Sequence, residues 1–191
     1  MEKTMRQLRS VATNFTTRED GENNPHIEGY FAVFNSVYDI MPGVMSESIA
    51  NGAFDGIEGE DIRALTNHDT TLVLGRTLAG TLTLRQDTHG LWGDITINPN
   101  DTDAMNAWHR VQRGDVSQCS IGFDIIDEEA ENRADGSTHW TIRKVKLYEV
   151  TVCTFPAYEE TNIQARSADR DTLKKRSLDA WKEKMKEALK C

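Results

Sequence analysis

Three polar residues carry the chemistry that this sequence could perform: His68, Ser120 and Glu149. A serine hydroxyl becomes a nucleophile when a neutral imidazole takes its proton, and a carboxylate beside that imidazole stabilises the charged ring. Taken singly, each residue has a structural interpretation: a hydrogen-bonded surface histidine, a structural strand serine and a core salt bridge. Taken together, the three satisfy the requirements of acyl transfer, and their spacing in the sequence leaves open whether they meet in space.

Alternation along one strand-like segment separates Ser120 from a rival nucleophile, Cys119. A thiolate is intrinsically more reactive than a hydroxyl. Successive side chains of a strand point to opposite faces, so Cys119 shares the apolar face with Ile121, while Ser120 and Gly122 point the other way. The alternation therefore favours Ser120. The missing side chain of Gly122 leaves room there for a substrate backbone to approach.

Glu149 lies in the β-like run 140–155, in a row that is otherwise largely apolar. A carboxylate in such a row needs a partner, and an imidazole N–H from His68 would supply one. Asp69 is the alternative carboxylate for orienting the His68 ring. Because Asp69 is adjacent to His68 in sequence, its side chain has difficulty reaching that ring. Backbone N–H groups, with Arg76 or Arg143, are the candidates for stabilising an oxyanion.

The elements that must position these residues are mostly strands. A helix begins at a cap supplied by Asn100 or Asp101 and ends at Gly114. Gly90 supplies the positive φ of a hairpin loop, and the acidic stretch 127–136 is predicted as a loop. The predicted strands are 29–34, 62–65, 81–85, 91–97, 119–125 and 140–155.

Charge and periodicity divide the chain into a domain at 1–163 and a basic tail at 164–191. The whole chain of 191 residues has a net charge of −9. The tail carries +4 and the domain −13, so an acidic body ends in a basic segment. Within the tail Leu178, Trp181 and Met185 recur at helical spacing, which predicts one amphipathic helix. It either packs on its own body or a neighbouring subunit, or docks on a partner.

Composition excludes several classes of function. The acidic balance argues against general binding of nucleic acid or an anionic membrane surface. Three cysteines without CxxC spacing favour a reducing compartment over a disulfide framework, and no segment reads as a secretion signal or membrane span. The common nucleotide, zinc, calcium and α/β-hydrolase motifs are missing from the sequence. No metal or cofactor is expected.

An ordered series of short motifs resembles the prohead maturation proteases of tailed phages, which are related to the herpesvirus capsid assembly proteases. The resemblance covers roughly residues 27–162. Each motif alone is weakly specific, and their order carries the resemblance. In chain order they are Glu28-Gly29-Tyr30, Val33-Phe34-Asn35, Gly52-Ala53-Phe54, Asn67-His68-Asp69, Gly75-Arg76, Asp87 to Leu91, Gly114-Asp115, Ser120-Ile121-Gly122-Phe123, Leu147-Tyr148-Glu149-Val150 and Pro156-Ala157.

The resemblance implies a mainly β (α+β) fold, a closed or nearly closed β-barrel flanked by helices. It also implies a serine endopeptidase with His68 as general base and Ser120 as nucleophile. Glu149 stands where the herpesvirus relatives use a second histidine, and a carboxylate can hold the ring at least as well. The implied substrates are the major capsid protein precursor, through its scaffolding segment, and the protease's own chain. The implied location is the assembling procapsid in the host cytoplasm.

Four possibilities stay open at this stage. The chain could be a catalytically silent assembly protein that keeps the protease fold and uses its tail to join the shell. A metal-dependent hydrolase using His68, His89, His109 or His139 is weaker because no ligand pair has suitable spacing. The tail could be removed by self-cleavage at 164–168. A homodimer with Trp181 and Met185 in its contact is also left open.

Overall fold

The computed structural model describes residues 7–13, 15–21, 24–155, 175 and 182. Their sequence was predicted to be mainly β, and this is confirmed. Of the predicted tail helix only Lys175 and Lys182 are described, each in helical conformation and exposed. The self-cleavage segment and the domain boundary at 163 lie outside the described residues. The strands are β1 (Gln7–Ala12), β2 (Thr16–Glu19), β3 (Pro25–Val33), β4 (Tyr38–Met41), β5 (Met45–Ile49), β6 (Arg63–Thr66), β7 (Asp69–Arg76), β8 (Leu82–Gln86), β9 (Gly90–Thr96), β10 (Gln118–Asn132) and β11 (Thr138–Cys153).

The strands form two sheets. The larger has seven strands in the order β1-β10-β11-β5-β4, with β6 and β7 continuing from the other end of β11. The smaller has the order β2-β3-β9-β8. The pairs of β11 with β5 and with β6 are parallel, which places β6 directly beside Glu149. All other pairs are antiparallel.

The expected closed or nearly closed barrel flanked by helices is wrong for the described part of the chain. There, β1, β4 and β7 end one sheet and β2 and β8 end the other, and no strand pairing joins the two. Two apolar faces can be buried by stacking two sheets as well as by closing one. Local alternation does not distinguish these outcomes. One α-helix, α1 (Thr102–Gln112), and a 3-10 turn at Thr77–Ala79 accompany the described strands.

The core lies between the two sheets. β3 contributes Ile27 and Phe31, β10 contributes Cys119 and Ile121, and β11 contributes Val150, all buried. α1 covers β2, β3 and β7 at one side. Only one face of each strand of the large sheet is committed to this core. The opposite face of β10 and β11 therefore carries the polar residues that the sequence singled out.

The predicted helix and hairpin are confirmed with one correction. The side chain of Asp101 caps α1 by accepting from the N–H groups of Asp103 and Ala104, at 3.0 and 3.2 Å. β8 and β9 form the predicted hairpin. Gly90 is not in the expected positive-φ conformation. It is needed for close packing instead, since a Cβ there would lie 2.0 Å from the Ala32 carbonyl oxygen.

The acidic stretch predicted as a loop is largely strand. β10 continues to Asn132 and pairs with β11 along its whole length, with irregular register on both sides of Asp127. The acidic side chains of this part of β10 are mostly exposed, and Arg143 of β11 pairs with Glu129 across the hairpin. Charged residues are tolerated because this part of β10 projects its side chains mostly into solvent rather than into a core.

Candidate active site

Register brings the polar residues of β10 and β11 together on one face. Ser120 lies directly opposite Thr151, and Gly122 lies opposite Glu149. Cross-strand partners share a face, so Ser120 and Glu149 belong to the same surface, the one turned away from the core. Cys119 faces the core, with its Sγ 3.2 Å from the Tyr30 carbonyl oxygen. The prediction that alternation separates Ser120 from Cys119 is confirmed.

His68 reaches this surface from a tight turn between β6 and β7. Asn67 and His68 have φ values of +50° and +60°, the left-handed conformation that a two-residue hairpin turn requires. Asn67 is fixed from both sides: its N–H donates to the Val152 carbonyl, and its Oδ1 accepts from the Thr154 N–H, each at 3.0 Å. These bonds fasten the turn to β11. A histidine held at positive φ is a strained arrangement of the kind found at functional sites.

His68 and Glu149 are hydrogen-bonded. The distance from His68 Nδ1 to Glu149 Oε1 is 2.7 Å, and the Glu149 side chain is 6% exposed. An ionised carboxylate only accepts, so Nδ1 carries the donated proton and Nε2 of a neutral ring is left as the acceptor. This is the tautomer that a general base for a hydroxyl needs. Glu149 was predicted to need a hydrogen-bond partner. That partner is His68, which lies on another element 81 positions away in sequence.

Two buried atoms of this site have no hydrogen-bond partner among the described residues: His68 Nε2 and Ser120 Oγ. One is an acceptor and the other a donor, so they complement each other. Buried polar atoms are nearly always paired, and unpaired ones call for an explanation such as a catalytic role. The hydroxyl and the ring are not bonded to each other in this structure, and such bonds are often long until substrate is bound.

The structure corrects the expectation for the space beside Gly122. The space above it was predicted to admit a substrate backbone, but the Glu149 side chain fills it. A Cβ on Gly122 would lie 2.6 Å from Glu149 Oε1 and 2.7 Å from its Cγ. Glycine is therefore required at this position so that the carboxylate can lie across β10 and meet His68.

The alternative orienting and oxyanion residues are engaged elsewhere. Asp69 Oδ1 accepts from the N–H and the hydroxyl of Thr71, at 2.8 and 2.6 Å, which holds the pKa of this carboxyl below its usual range. Arg76 makes two hydrogen bonds to Asp61, at 2.6 and 2.8 Å. Arg143 is paired with Glu129 and stands about 20 Å along β11 from the site, at ~3.3 Å per residue.

The other three candidate metal ligands, all histidines, lie in surroundings different from that of His68. His89 packs edge-on against Tyr30, and His109 packs edge-on against Trp108. His139 lies between two serine hydroxyls, Ser46 at 2.8 Å and Ser48 at 3.0 Å. Within the described residues no three side chains of the metal-ligating types gather into a site.

The pKa of a neighbouring thiol, that of Cys153, is affected by the burial and the charge of this site. Cys153 is buried on the same face as Glu149, two positions beyond Thr151. Burial, and secondly the Glu149 carboxylate, raise the pKa of the Cys153 thiol to about 11. Because the thiolate is the reactive form, this raised pKa disfavours Cys153 as a nucleophile at neutral pH and favours Ser120.

Fold and site together define a class: a two-sheet β protein with an imidazole–carboxylate pair beside a strand serine, the arrangement of a candidate serine hydrolase. A family model described as the caudovirus prohead serine protease matches residues 13–176, and the chain belongs to that family. None of the described helices is long and apolar enough to cross a bilayer.

Two known proteins resemble the chain. The prohead protease of Enterobacteria phage HK97 is 26% identical over 159 residues, which cover 81% of this chain and 65% of the relative. The chain thus spans somewhat less than two thirds of that relative's length. The solved structure of the bacteriophage T4 capsid assembly protease, gp21, aligns with a TM-score of 0.55 at 10% identity, covering 79% of this chain and 98% of that one. At this identity the likeness shows the fold alone.

Proposed function

We propose that this protein is a serine endopeptidase that cleaves the scaffolding segment of a phage major capsid precursor, and its own chain, during prohead maturation. Membership of the prohead protease family supports peptidase activity on capsid proteins. The single observation that carries the choice of site is the 2.7 Å bond between His68 Nδ1 and Glu149 Oε1, on the face of the sheet that also carries Ser120.

In the proposed reaction Ser120 Oγ attacks the scissile carbonyl carbon while His68 Nε2 takes the hydroxyl proton. Glu149 holds the ring by its Nδ1 proton and stabilises the imidazolium that forms. His68 then gives the proton to the leaving amine, which departs as the peptide bond breaks and an acyl-enzyme remains. A water molecule, deprotonated by His68, hydrolyses the ester and restores Ser120.

We place this chemistry inside the assembling procapsid in the host cytoplasm, and in a domain that spans 1–163. The segment 164–191 is proposed as a basic extension of that domain. Its charge of +4 suits an acidic scaffold, and its small and polar connection at 164–168 suits self-cleavage. Mass spectrometry decides the second point: active protein loses the tail under processing conditions and Ser120→Ala does not, whereas an unchanged full-length mass in active protein would exclude self-cleavage.

Coexpression with the capsid precursor tests the proposal. Wild-type protein and Cys119→Ala are expected to process the precursor, and Ser120→Ala is expected to leave it intact. Cys119→Ala is the matched control, since it changes the adjacent residue on the core face of the same strand. Processing that survives Ser120→Ala would reject the assignment of the nucleophile.

One observation favours a second candidate, a silent assembly protein with the protease fold. Ser120 is fully buried and makes no hydrogen bond to His68. A silent protein has no need to expose this hydroxyl, whereas a protease must uncover it before cleavage. The same coexpression distinguishes them: the silent protein leaves the precursor at full length even when wild-type protein is present and shells assemble.

A further inference from the structure

A third hydroxyl-bearing residue lies within the site. Thr151 Oγ1 donates to Glu149 Oε2 at 2.6 Å, while Glu149 Oε1 accepts from His68 at 2.7 Å. We propose that Thr151 is a positioning residue that holds Glu149 ionised and correctly turned toward His68. The kinetic consequence of this role rests on the proposed function, whereas the role itself concerns two hydrogen bonds to one buried carboxylate.

The placement follows from the strand. Residues 149 and 151 of β11 are two apart, so they share a face and lie within reach of each other. Both are buried, with Thr151 fully enclosed. An ionised carboxylate without hydrogen bonds is costly in such a place and would take up a proton instead. The Thr151 hydroxyl satisfies the oxygen that His68 does not reach.

Close packing closes the remaining side of the carboxylate. The backbone of Gly122 lies so near that a Cβ there would be 2.6 Å from Glu149 Oε1. The carboxylate is therefore held by His68 on one oxygen, by Thr151 on the other and by Gly122 from across the sheet. A residue that merely filled space at position 151 would leave one oxygen without this donor.

Thr151 is also the cross-strand partner of Ser120. Two hydroxyls opposite each other on one face could bond to each other, which would occupy the nucleophile. The Thr151 hydroxyl donates to Glu149 instead, and Ser120 Oγ has no hydrogen-bond partner within the described residues. The same bond that orients Glu149 thus turns the neighbouring hydroxyl proton away from Ser120.

Thr151→Val keeps the branched shape and removes the donor, while Thr151→Ser keeps the donor. Without the donor the ionised carboxylate is less stable, so the His68–Glu149 pair binds a proton at higher pH. The other charged groups around the pair stay the same in both variants. They are Arg63, which is the strand partner of Glu149 and binds Asp61, Asp69, which is bound to Thr71, and Cys153, which is neutral at these pH values.

The kinetic test is the pH dependence of kcat/KM for cleavage by the full chain. Thr151→Val is expected to lose about tenfold at pH 7 and to move the acid limb of the profile upward by about one pH unit. Thr151→Ser should keep both at wild-type values. Thr138→Val is the control, since it removes a hydroxyl that donates to Asn132 Oδ1 at 3.0 Å in the distal hairpin. A uniform loss without movement of the limb would overturn the proposal.

A second measurement does not depend on proteolysis. In full-length Ser120→Ala protein, proton NMR of the His68 Nδ1–H reports its bond to Glu149, with the His26 Nδ1–H as internal reference. Thr151→Val, or Thr151→Ala if the valine chain does not fold, should broaden the His68 signal through faster exchange with water, and Thr151→Ser should not. Unchanged signals in valine and alanine chains would refute the positioning role. A broadened signal, together with wild-type protein that fails to cleave the precursor, would sustain the positioning role and reject the proposed function.

Discussion

Two histidines of this molecule have the same bond to a carboxylate and different surroundings. His26 Nδ1 lies 2.7 Å from Asp94 Oδ1, and His68 Nδ1 lies 2.7 Å from Glu149 Oε1. His26 is part of β3, and its other nitrogen faces Asp20 at 3.3 Å. His68 stands in a strained turn, and its other nitrogen has no hydrogen-bond partner in the described chain.

The difference shows that an imidazole–carboxylate pair is not by itself a catalytic signature. In His26 both ring nitrogens face carboxylates, at 2.7 and 3.3 Å, so neither nitrogen is open to a hydroxyl. Its carbonyl also accepts from Trp108 Nε1 at 3.0 Å, which ties β3 to α1. His68 keeps Nε2 unbonded on the face that carries Ser120. We therefore expect His26 to stabilise the fold and His68 to perform the chemistry.

The largest expected effect separates these two histidines directly. His68→Asn should lower kcat/KM for precursor cleavage by about 10⁴-fold, because the general base is lost. Asparagine tolerates the positive φ at this position, but loss of the bond to the buried Glu149 carboxylate should lower the free energy of unfolding by about 1–3 kcal/mol. Cleavage assays and urea unfolding measure the two quantities.

His26→Asn is the matched control, with a comparable loss of stability and a rate close to wild type. It should keep cleavage within about threefold of wild type, since its site is remote from Ser120, and lower the free energy of unfolding by about 1–3 kcal/mol. If His26→Asn folded fully and still lost activity, the His26–Asp94 and His68–Glu149 pairs could no longer be assigned different roles.

The partner carboxylates should differ in the same way, with a smaller effect on rate. Glu149→Gln is expected to lower kcat/KM by about 10³-fold, because the amide stabilises the imidazolium poorly and can favour the wrong tautomer. Asp94→Asn should leave the rate near wild type and weaken the fold, since Asp94 also binds Arg18 at 2.5 Å. Equal rate losses in the two variants would contradict the comparison.

Two glycines, one in each sheet, test whether close packing beside the His68–Glu149 pair affects the rate as well as the stability. Gly122→Ala should push the Glu149 carboxylate away from His68 and lower kcat/KM about 10–100-fold, with a loss of about 1–3 kcal/mol of stability. Gly93→Ala creates a similar clash, with a Cβ 2.7 Å from Phe31 Cε2, in the other sheet. It should lose comparable stability and keep its rate. Cleavage assays and urea unfolding on both variants measure this.

The smallest expected effect concerns His139, a buried imidazole to which no carboxylate of the described residues is bonded. Burial, and secondly the charge of Arg133, lower the pKa of His139, with Glu131 opposing. The unfolded chain then takes up a proton at higher pH than the folded chain. This contribution to stability is complete above the ordinary imidazole pKa of about 6.5 and is lost as pH falls through the folded value.

Urea unfolding at several pH values measures this contribution. His139→Gln should show a flatter decrease of unfolding free energy between pH 7 and 5 than wild type. A decrease of the same slope in both proteins would assign the acid sensitivity to other groups.

The sequence predicts what depends on neighbours along the chain. Alternation around Ser120 correctly turned Cys119 into the core. Glu149 does have a partner as predicted, but the predicted apolar row is wrong: a register shift places Leu147 opposite Phe123 on the core face, whereas Glu149 lies opposite Gly122 on the other face. The cap at Asp101 and the hairpin ending at Gly90 were equally local. These features follow from side-chain direction and backbone hydrogen bonding over a few residues.

What could not be predicted depends on pairing between distant segments. Nothing near Glu149 indicates that β6 runs parallel beside it, or that the residue opposite is Gly122, whose open space the carboxylate then fills. The bond from Thr151 was equally hidden, although its position two residues on was a usable signal. Stacked sheets instead of a barrel also reflect long-range pairing that alternation alone leaves undetermined.

The most direct test of the account is covalent labelling with a fluorophosphonate, followed by peptide mapping of the full chain under conditions that process the capsid precursor. We expect label on Ser120 in wild-type protein and in His26→Asn, and almost none in His68→Asn. Label on another residue, or equal labelling of Ser120 in His68→Asn, would contradict the claim that His68 activates Ser120.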